Sequence, residues 1–310
     1  MTVNLHSSHF ASIADFNREE LEQLIDLALK LKQERYLGEY NDALSGMTLA
    51  MLFEKPSLRT RVSFEVAMND LGGSAIYLAP DDIALGKRET IEDAAMVLSS
   101  MCHGIMARVF EHSKIEELCK YSTVPVINGL SDLTHPMQGL ADYMTVKEKL
   151  GGIAGRRLCF LGDGNNVAHS LMLGGAILDC SVTICCAKGY EPQKKIMEEA
   201  LNLAKDSGAK IEVVYDPAKA VVGADVVYTD VWASMGQEDK AEEKKKALSA
   251  LQVNEELFAQ AGPQAILLHC LPAHYGEELT YEVSRHPRSA IFDQAENRLH
   301  TSKAVLLSLL

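Results

Sequence analysis

Short apolar runs alternate with stretches of helical spacing along most of the chain, and this alternation limits the fold more than any single residue does. Runs of strand length fall at 47–53, 75–78, 104–109, 124–128, 158–161, 182–186, 211–215, 226–229 and 266–269. Helices are predicted between them at 59–71, 91–101, 114–121, 138–150, 191–206 and, briefly, near 217–222. That is the rhythm of βαβ units, so the expected class is α/β, with doubly wound parallel sheets covered by helices on both faces. Ligands in such sheets bind beyond the carboxyl ends of the strands. An amphipathic stretch at 13–35 (Leu21, Leu24, Ile25, Ala28 and Leu31, with Asp15 as a candidate cap) reads as a leading helix. Apolar residues at Ala304, Leu306, Leu307, Leu309 and Leu310 mark a closing one.

A length of 310 residues suggests two domains. We place them at 1–145 and 146–288, with 289–310 as a C-terminal helix returning to the first domain, and the leading and closing helices bridging both. The net charge of −13 disfavours nucleic acid, which attracts a basic face. It also means that an anionic substrate needs a local positive field. Seven cysteines without zinc-like pairs, and an N-terminal stretch without secretory character, suit a reducing cytoplasm. No apolar run reaches membrane-spanning length.

The junction after the first strand reads Phe53-Glu54-Lys55-Pro56-Ser57-Leu58-Arg59-Thr60-Arg61. Pro and a hydroxyl residue favour a helix start. Free backbone N–H groups and the positive end of the helix dipole attract an anion there. Ser57 and Thr60 add hydroxyl donors, and Arg59 or Arg61 can clamp two phosphate oxygens with a planar fork. The pattern G-x-x-x-x-G-K-[ST] is absent, so this is no P-loop. A capped surface helix with solvated arginines is the competing reading. Arg108, at a strand end, is placed to join an anion site. His135 and Gln138, one turn apart at a helix start, can face one pocket.

FEKPSLRTRVSFE resembles the carbamoyl-phosphate motif of the aspartate and ornithine carbamoyltransferases, whose usual form is S-T-R-T-R. Leu58 takes the place of the first Thr, which removes a hydroxyl and keeps a backbone N–H. S-L-R-T-R is also similar to the form in acetylornithine-type relatives, so the acceptor needs separate argument. His135-Pro136-Met137-Gln138 resembles the second carbamoyl-phosphate motif of the family. The family carries a mobile loop at 79–90 that reaches a neighbouring subunit. Here it holds Ala84, Lys87 and Arg88, and reads equally well as a solvated loop or as a source of phosphate contacts.

In the second half, Gly162-Asp163-Gly164-Asn165-Asn166 tempts a dinucleotide reading. The third Gly is replaced by Val167, and the next strand lacks the acidic residue that would hold a ribose. G-D-G-N-N resembles the ornithine-specific members, where Asn166 binds the amino-acid end of the acceptor. D-x-W-x-S-M-G, from Asp230 to Gly236, resembles their acceptor loop, with Asp230 taking the α-ammonium and Ser234 and Met235 the polar head. His269-Cys270-Leu271-Pro272 is again their form. A nucleophilic Cys270 beside a His competes with a contact role. Direct attack by an amine needs no covalent intermediate, so the contact role is preferred. Tyr275 stands where many relatives have Arg. Arg298 matches the family's carbamoyl-contacting Arg.

The resemblance spans nearly the whole chain. It implies transfer of a carbamoyl group from carbamoyl phosphate to the δ-amine of L-ornithine, giving L-citrulline and phosphate, without metal or organic cofactor. Ser57, Leu58, Arg59, Thr60, Arg108, His135, Gln138, Cys270, Leu271 and Arg298 would hold carbamoyl phosphate. Asn166, Asp230, Ser234 and Met235 would hold ornithine. Arg59, Arg108, His135, Cys270 and Arg298 would carry the chemistry. It further implies domain closure and a homotrimer, or a multiple of trimers, with shared active sites. The alternatives are another amine acceptor, such as putrescine or an N-acylated ornithine, and a non-catalytic relative.

Overall fold

The computed structural model describes residues 3–83, 85–86, 88–233 and 241–310. They divide into two compact units. The first runs to Met144 and resumes at Glu296–Leu310; the second is Thr145–Ala295. The chain leaves the first unit inside the helix Pro136–Leu150 and returns to it inside the helix Ile291–Leu309.

The first unit holds β1 (Thr48–Phe53), β2 (Ser74–Leu78), β3 (Gly104–Arg108) and β4 (Val126–Leu130), all parallel, in the order β2-β1-β3-β4. All of β3 and β4 is buried, and so is β1 beyond Thr48. Helices cover both faces of such a sheet, which is why these strands read as unbroken apolar runs. Strand order reverses between β1 and β3, so a crevice opens there at the carboxyl ends. The free edge of β4 is closed by the N-terminal segment: Phe10 N–H donates to the Val126 carbonyl and the Phe10 carbonyl accepts from Asn128 N–H, both at 2.8 Å.

The second unit holds β5 (Arg157–Leu161), β6 (Ser181–Cys185), β7 (Ile211–Val214), β8 (Val226–Thr229) and β9 (Ile266–His269), also parallel, in the order β7-β6-β5-β8-β9. Its reversal lies between β5 and β8. Among the described residues no helix is long and apolar enough to cross a membrane.

Three local expectations are corrected. The leading helix is Arg18–Tyr36 and its cap is Asn17, not Asp15. The Asn17 side chain accepts from Glu20 N–H at 3.0 Å while Glu20 accepts from Asn17 N–H at 2.9 Å, a reciprocal capping box. Asp15 instead accepts from Ala11 and Ser12 N–H and closes a separate turn, Ile13–Asp15. The loop at 79–90 contains a helical turn, Pro80–Ile83. β4 begins at Val126 rather than at 124, because Val124 N–H is taken by Ser122 Oγ at 3.2 Å and Pro125 has no N–H.

Candidate active site

In the first unit, Ser57 is the N-cap of the helix Leu58–Asp70, extended at φ −156°, with its hydroxyl accepting from Thr60 N–H at 3.3 Å. The cap satisfies Thr60 N–H, and a helix start leaves its other early N–H groups without intrahelical partners. Leu58 projects its side chain to solvent, 75% exposed, so only its backbone remains for a ligand. Arg59 is half-buried and Thr60 fully buried. Arg61 is directed elsewhere. It pairs with Glu65 at 2.9 Å and stacks on Tyr77, 4.0 Å from the ring centroid.

Arg108 is buried at the end of β3, across the crevice from this helix start. His135 and Gln138 are buried at the start of the helix Pro136–Leu150, and Arg298, also buried, comes from Ile291–Leu309. Arg298 donates to Gln138 Oε1 at 2.7 Å and to Thr60 Oγ1 at 3.3 Å. Gln138 in turn donates to Asp142 at 2.7 Å. His135 is held well below the usual imidazole value, first by burial and then by the charges of Arg298, Arg108, Lys55 and Arg59. It is a neutral imidazole in a cationic cluster. It can donate to or accept from a ligand without adding charge.

Sequence reasoning passed over two members of this cluster. Lys55 has its ammonium pushed down to about 8, by burial and then by Arg108, and lies 4.7 Å from the Phe110 ring centroid. Glu54 accepts from Phe110 N–H at 2.9 Å and from Lys114 at 2.5 Å, tying the motif to the segment after β3. Both stand inside the motif already singled out, so their position beside Arg59 was the available signal.

In the second unit, the turns after β5 and β8 meet at the strand reversal. Asn165 caps the helix Asn166–Leu178, accepting from Val167 and Ala168 N–H. Its amide also donates to Asp230 Oδ2 at 2.8 Å. Asn166 is half-buried at the first helical position. Asp230 Oδ1 accepts from Val231 N–H at 2.8 Å and from Cys270 Sγ at 2.9 Å. This joins the ends of β5, β8 and β9 around one carboxylate. Leu271 follows at φ +56°, and its peptide bond to Pro272 is cis. Gly164 packs against the chain rather than leaving room for a nucleotide: a Cβ there would lie 2.3 Å from the Pro192 nitrogen.

Ser234 and Met235 lie outside the described residues, as do Ala84 and Lys87. Arg88 is exposed. Asp230, His269 and Cys270 have potential metal-donor atoms within 4.8 Å of one another, as do His274, Glu277 and Glu278. In the first group, His269 already spends both ring nitrogens, on Leu271 N–H at 2.8 Å and on Glu278 at 3.0 Å.

Residues 8–148 match the profile of the aspartate/ornithine carbamoyltransferase carbamoyl-P binding domain, and residues 154–309 that of the Asp/Orn binding domain. The chain is 52% identical over 306 residues to an ornithine carbamoyltransferase of Thermococcus kodakarensis, covering 99% of this chain and 97% of that one. It is 51% identical over 306 residues to an anabolic ornithine carbamoyltransferase of Pyrococcus furiosus, with the same coverage. Among solved structures it resembles ornithine carbamoyltransferase from Pyrococcus furiosus, with a TM-score of 0.95 at 50% identity, covering 99% of this chain and 97% of that one. The enzyme from Thermus thermophilus gives a TM-score of 0.87 at 45% identity, with 98% and 99% covered.

Proposed function

The chain belongs to the aspartate/ornithine carbamoyltransferase family, and from that premise we propose that it carbamoylates the δ-amine of L-ornithine with carbamoyl phosphate, releasing L-citrulline and phosphate. The observation that carries the reading is the chain Thr60–Arg298–Gln138 beside a neutral His135. It links a hydroxyl of the anion-binding helix start to donors suited to a carbonyl.

Phosphate would lie on the N–H groups and hydroxyls of Ser57, Leu58, Arg59 and Thr60, with Arg59, Arg108 and Lys55 neutralising its charge as it leaves. Arg298, His135 and Gln138 would face the carbamoyl oxygen and stabilise the negative charge it gains when the amine attacks. Cys270 and Leu271 would meet the carbamoyl nitrogen. In the second unit Asp230 would take the α-ammonium and Asn166, Ser234 and Met235 the rest of the amino-acid head, leaving the δ-amine free to react. Much of the acceleration would come from holding two substrates in reacting geometry. The attacking amine must be neutral, so its proton leaves before the new C–N bond forms. The C–O bond to phosphate then breaks, and the further proton that the attacking nitrogen must lose leaves with the phosphate.

Carbamoyl phosphate labelled with 13C at the carbonyl tests this directly. The label should move into the ureido carbon of citrulline, with one phosphate released per citrulline. Phosphate release without a ureido signal would mean hydrolysis alone. We further infer a homotrimer. The exposed apolar side chains Val62 and Ile76 support it, since a subunit contact would cover them. Sedimentation showing a fully active monomer would contradict it. A cytoplasmic setting accords with seven cysteines that form no disulfide among the described residues.

A further inference from the structure

Three lysines follow one another on the helix Ala241–Leu248 of the second unit, and only the first is buried. Lys245 is half-buried and pairs with Glu277 at 2.9 Å, and Lys246 is exposed. Lys244 and Leu248, one turn apart, share the inward face. The Lys244 ammonium donates to Asp163 Oδ2 at 2.5 Å and lies 6.0 Å from the Tyr190 ring centroid. Both side chains of the pair are withdrawn from water, at 8% and 15% exposure. A buried ion pair seldom stabilises a fold better than apolar side chains of similar volume would. This one stands beside the acceptor half-site. The Asp163 carbonyl accepts from Asn165 N–H at 2.7 Å, and the Asn165 amide donates to Asp230 at 2.8 Å. Burial pushes the Asp163 carboxyl up; Lys244 opposes that and Asp230 adds to it, so the two carboxylates feel one another. Asp230 is held by hydrogen bonds from Asn165, Val231 and Cys270, and among the described residues no cation pairs with it.

We propose that Lys244 sets the charge class of the acceptor. By cancelling the Asp163 charge it leaves Asp230 as the unpaired one of the two carboxylates, which suits a zwitterionic amino-acid head. Without Lys244 the half-site would carry two unpaired carboxylates and favour a diamine, which brings two ammoniums and no carboxylate. This deepens the function proposed above and rests on its placing the acceptor at Asp230.

The test uses two probes: L-norvaline, which is the ornithine head without its δ-amine, and putrescine, which has both ammoniums and no carboxylate. Their Kd values are measured by calorimetry at alkaline pH and saturating carbamoyl phosphate. In Lys244→Met the ratio of the norvaline Kd to the putrescine Kd should rise by about tenfold or more, because an added negative charge favours the more positive ligand. Asp163→Asn, which leaves the cation alone, should move the ratio the opposite way. The double variant, Lys244→Met with Asp163→Asn, should return it to within about threefold of the unaltered chain. Lys244→Arg keeps the charge and should keep the ratio. A merely structural role would weaken both probes together and give no restoration in the double variant, and that result would overturn the proposal. So would an unchanged ratio in Lys244→Met. If Lys244→Met does not fold, the step from Asp163→Asn to the double variant decides in its place, and the ratio should rise there. Calorimetry needs no turnover, so an unaltered chain that binds both probes but forms no citrulline from ornithine fails the proposed function alone. Binding of neither probe would overturn both.

Discussion

Arg298 donates to Gln138 Oε1 at 2.7 Å, with both side chains buried. The donor comes from the last helix of the chain and the acceptor from the helix that leaves the first unit. Each orients the other. Removal of a single donor from an oxyanion site typically costs about 10²–10³ in rate. Arg298→Ala and Gln138→Ala should each lower kcat on that scale, and the double variant should lose far less than the product. A double-mutant cycle on kcat checks this; multiplicative losses would mean that the two side chains act independently.

Ser57 caps its helix and, in the proposed function, would also bind phosphate. Ser57→Ala removes the cap of the helix Leu58–Asp70 and should cost about 1 kcal/mol in denaturant unfolding. It should also raise KM for carbamoyl phosphate. Leu58→Thr restores the usual family residue at an exposed position, so stability should move by no more than about 0.5 kcal/mol. If position 58 binds through its backbone alone, KM for carbamoyl phosphate stays the same; a clear fall would show that a hydroxyl there contributes.

Two opposing titrations should shape activity against pH. The δ-amine of ornithine must be neutral, so the rate rises toward alkaline pH. Lys55 loses its charge as pH rises through about 8, which weakens the hold on phosphate. KM for carbamoyl phosphate should climb above that pH in the unaltered chain. In Lys55→Met it should be high throughout and flat. A flat KM in the unaltered chain would remove Lys55 from the site.

His300 is buried in the closing helix, and its imidazole is pushed down to about 4 by burial, opposed by Glu296 and reinforced by Lys32 and Lys303. The unfolded chain takes up this proton near pH 6.5 while the folded chain resists it. The associated stability is therefore complete above pH 6.5 and is lost as pH falls toward 4. The loss should approach roughly 3 kcal/mol across that window. His135 acts in the same direction. Chemical unfolding at several pH values, repeated on His300→Gln, should show a shallower acid dependence in the variant.

The parallel strands were legible because burial on both faces leaves unbroken apolar runs, as at Ile266–His269, where expected and observed bounds coincide. Boundaries shifted where local hydrogen bonding decided them. Asn17 took the cap because Glu20 could answer it, and β4 started late because Pro125 lacks an N–H. In the candidate site, the helix starts that hold Ser57, His135 and Gln138 were legible from local spacing. That Arg61 is drawn aside could not be read from spacing, since it depends on Glu65 and Tyr77. Arg298 belongs to no local pattern that physics alone would single out; it came from family resemblance.

The central claim is the acceptor. Citrulline formation from carbamoyl phosphate and L-ornithine should be measured beside putrescine, N-acetylornithine and L-aspartate under identical conditions. The account predicts that kcat/KM for ornithine exceeds that for each of the others by several orders of magnitude, because only ornithine offers both an α-ammonium for Asp230 and a free δ-amine. Comparable or faster turnover with any of the other three would contradict it, leaving the phosphate half-site intact and the acceptor assignment wrong.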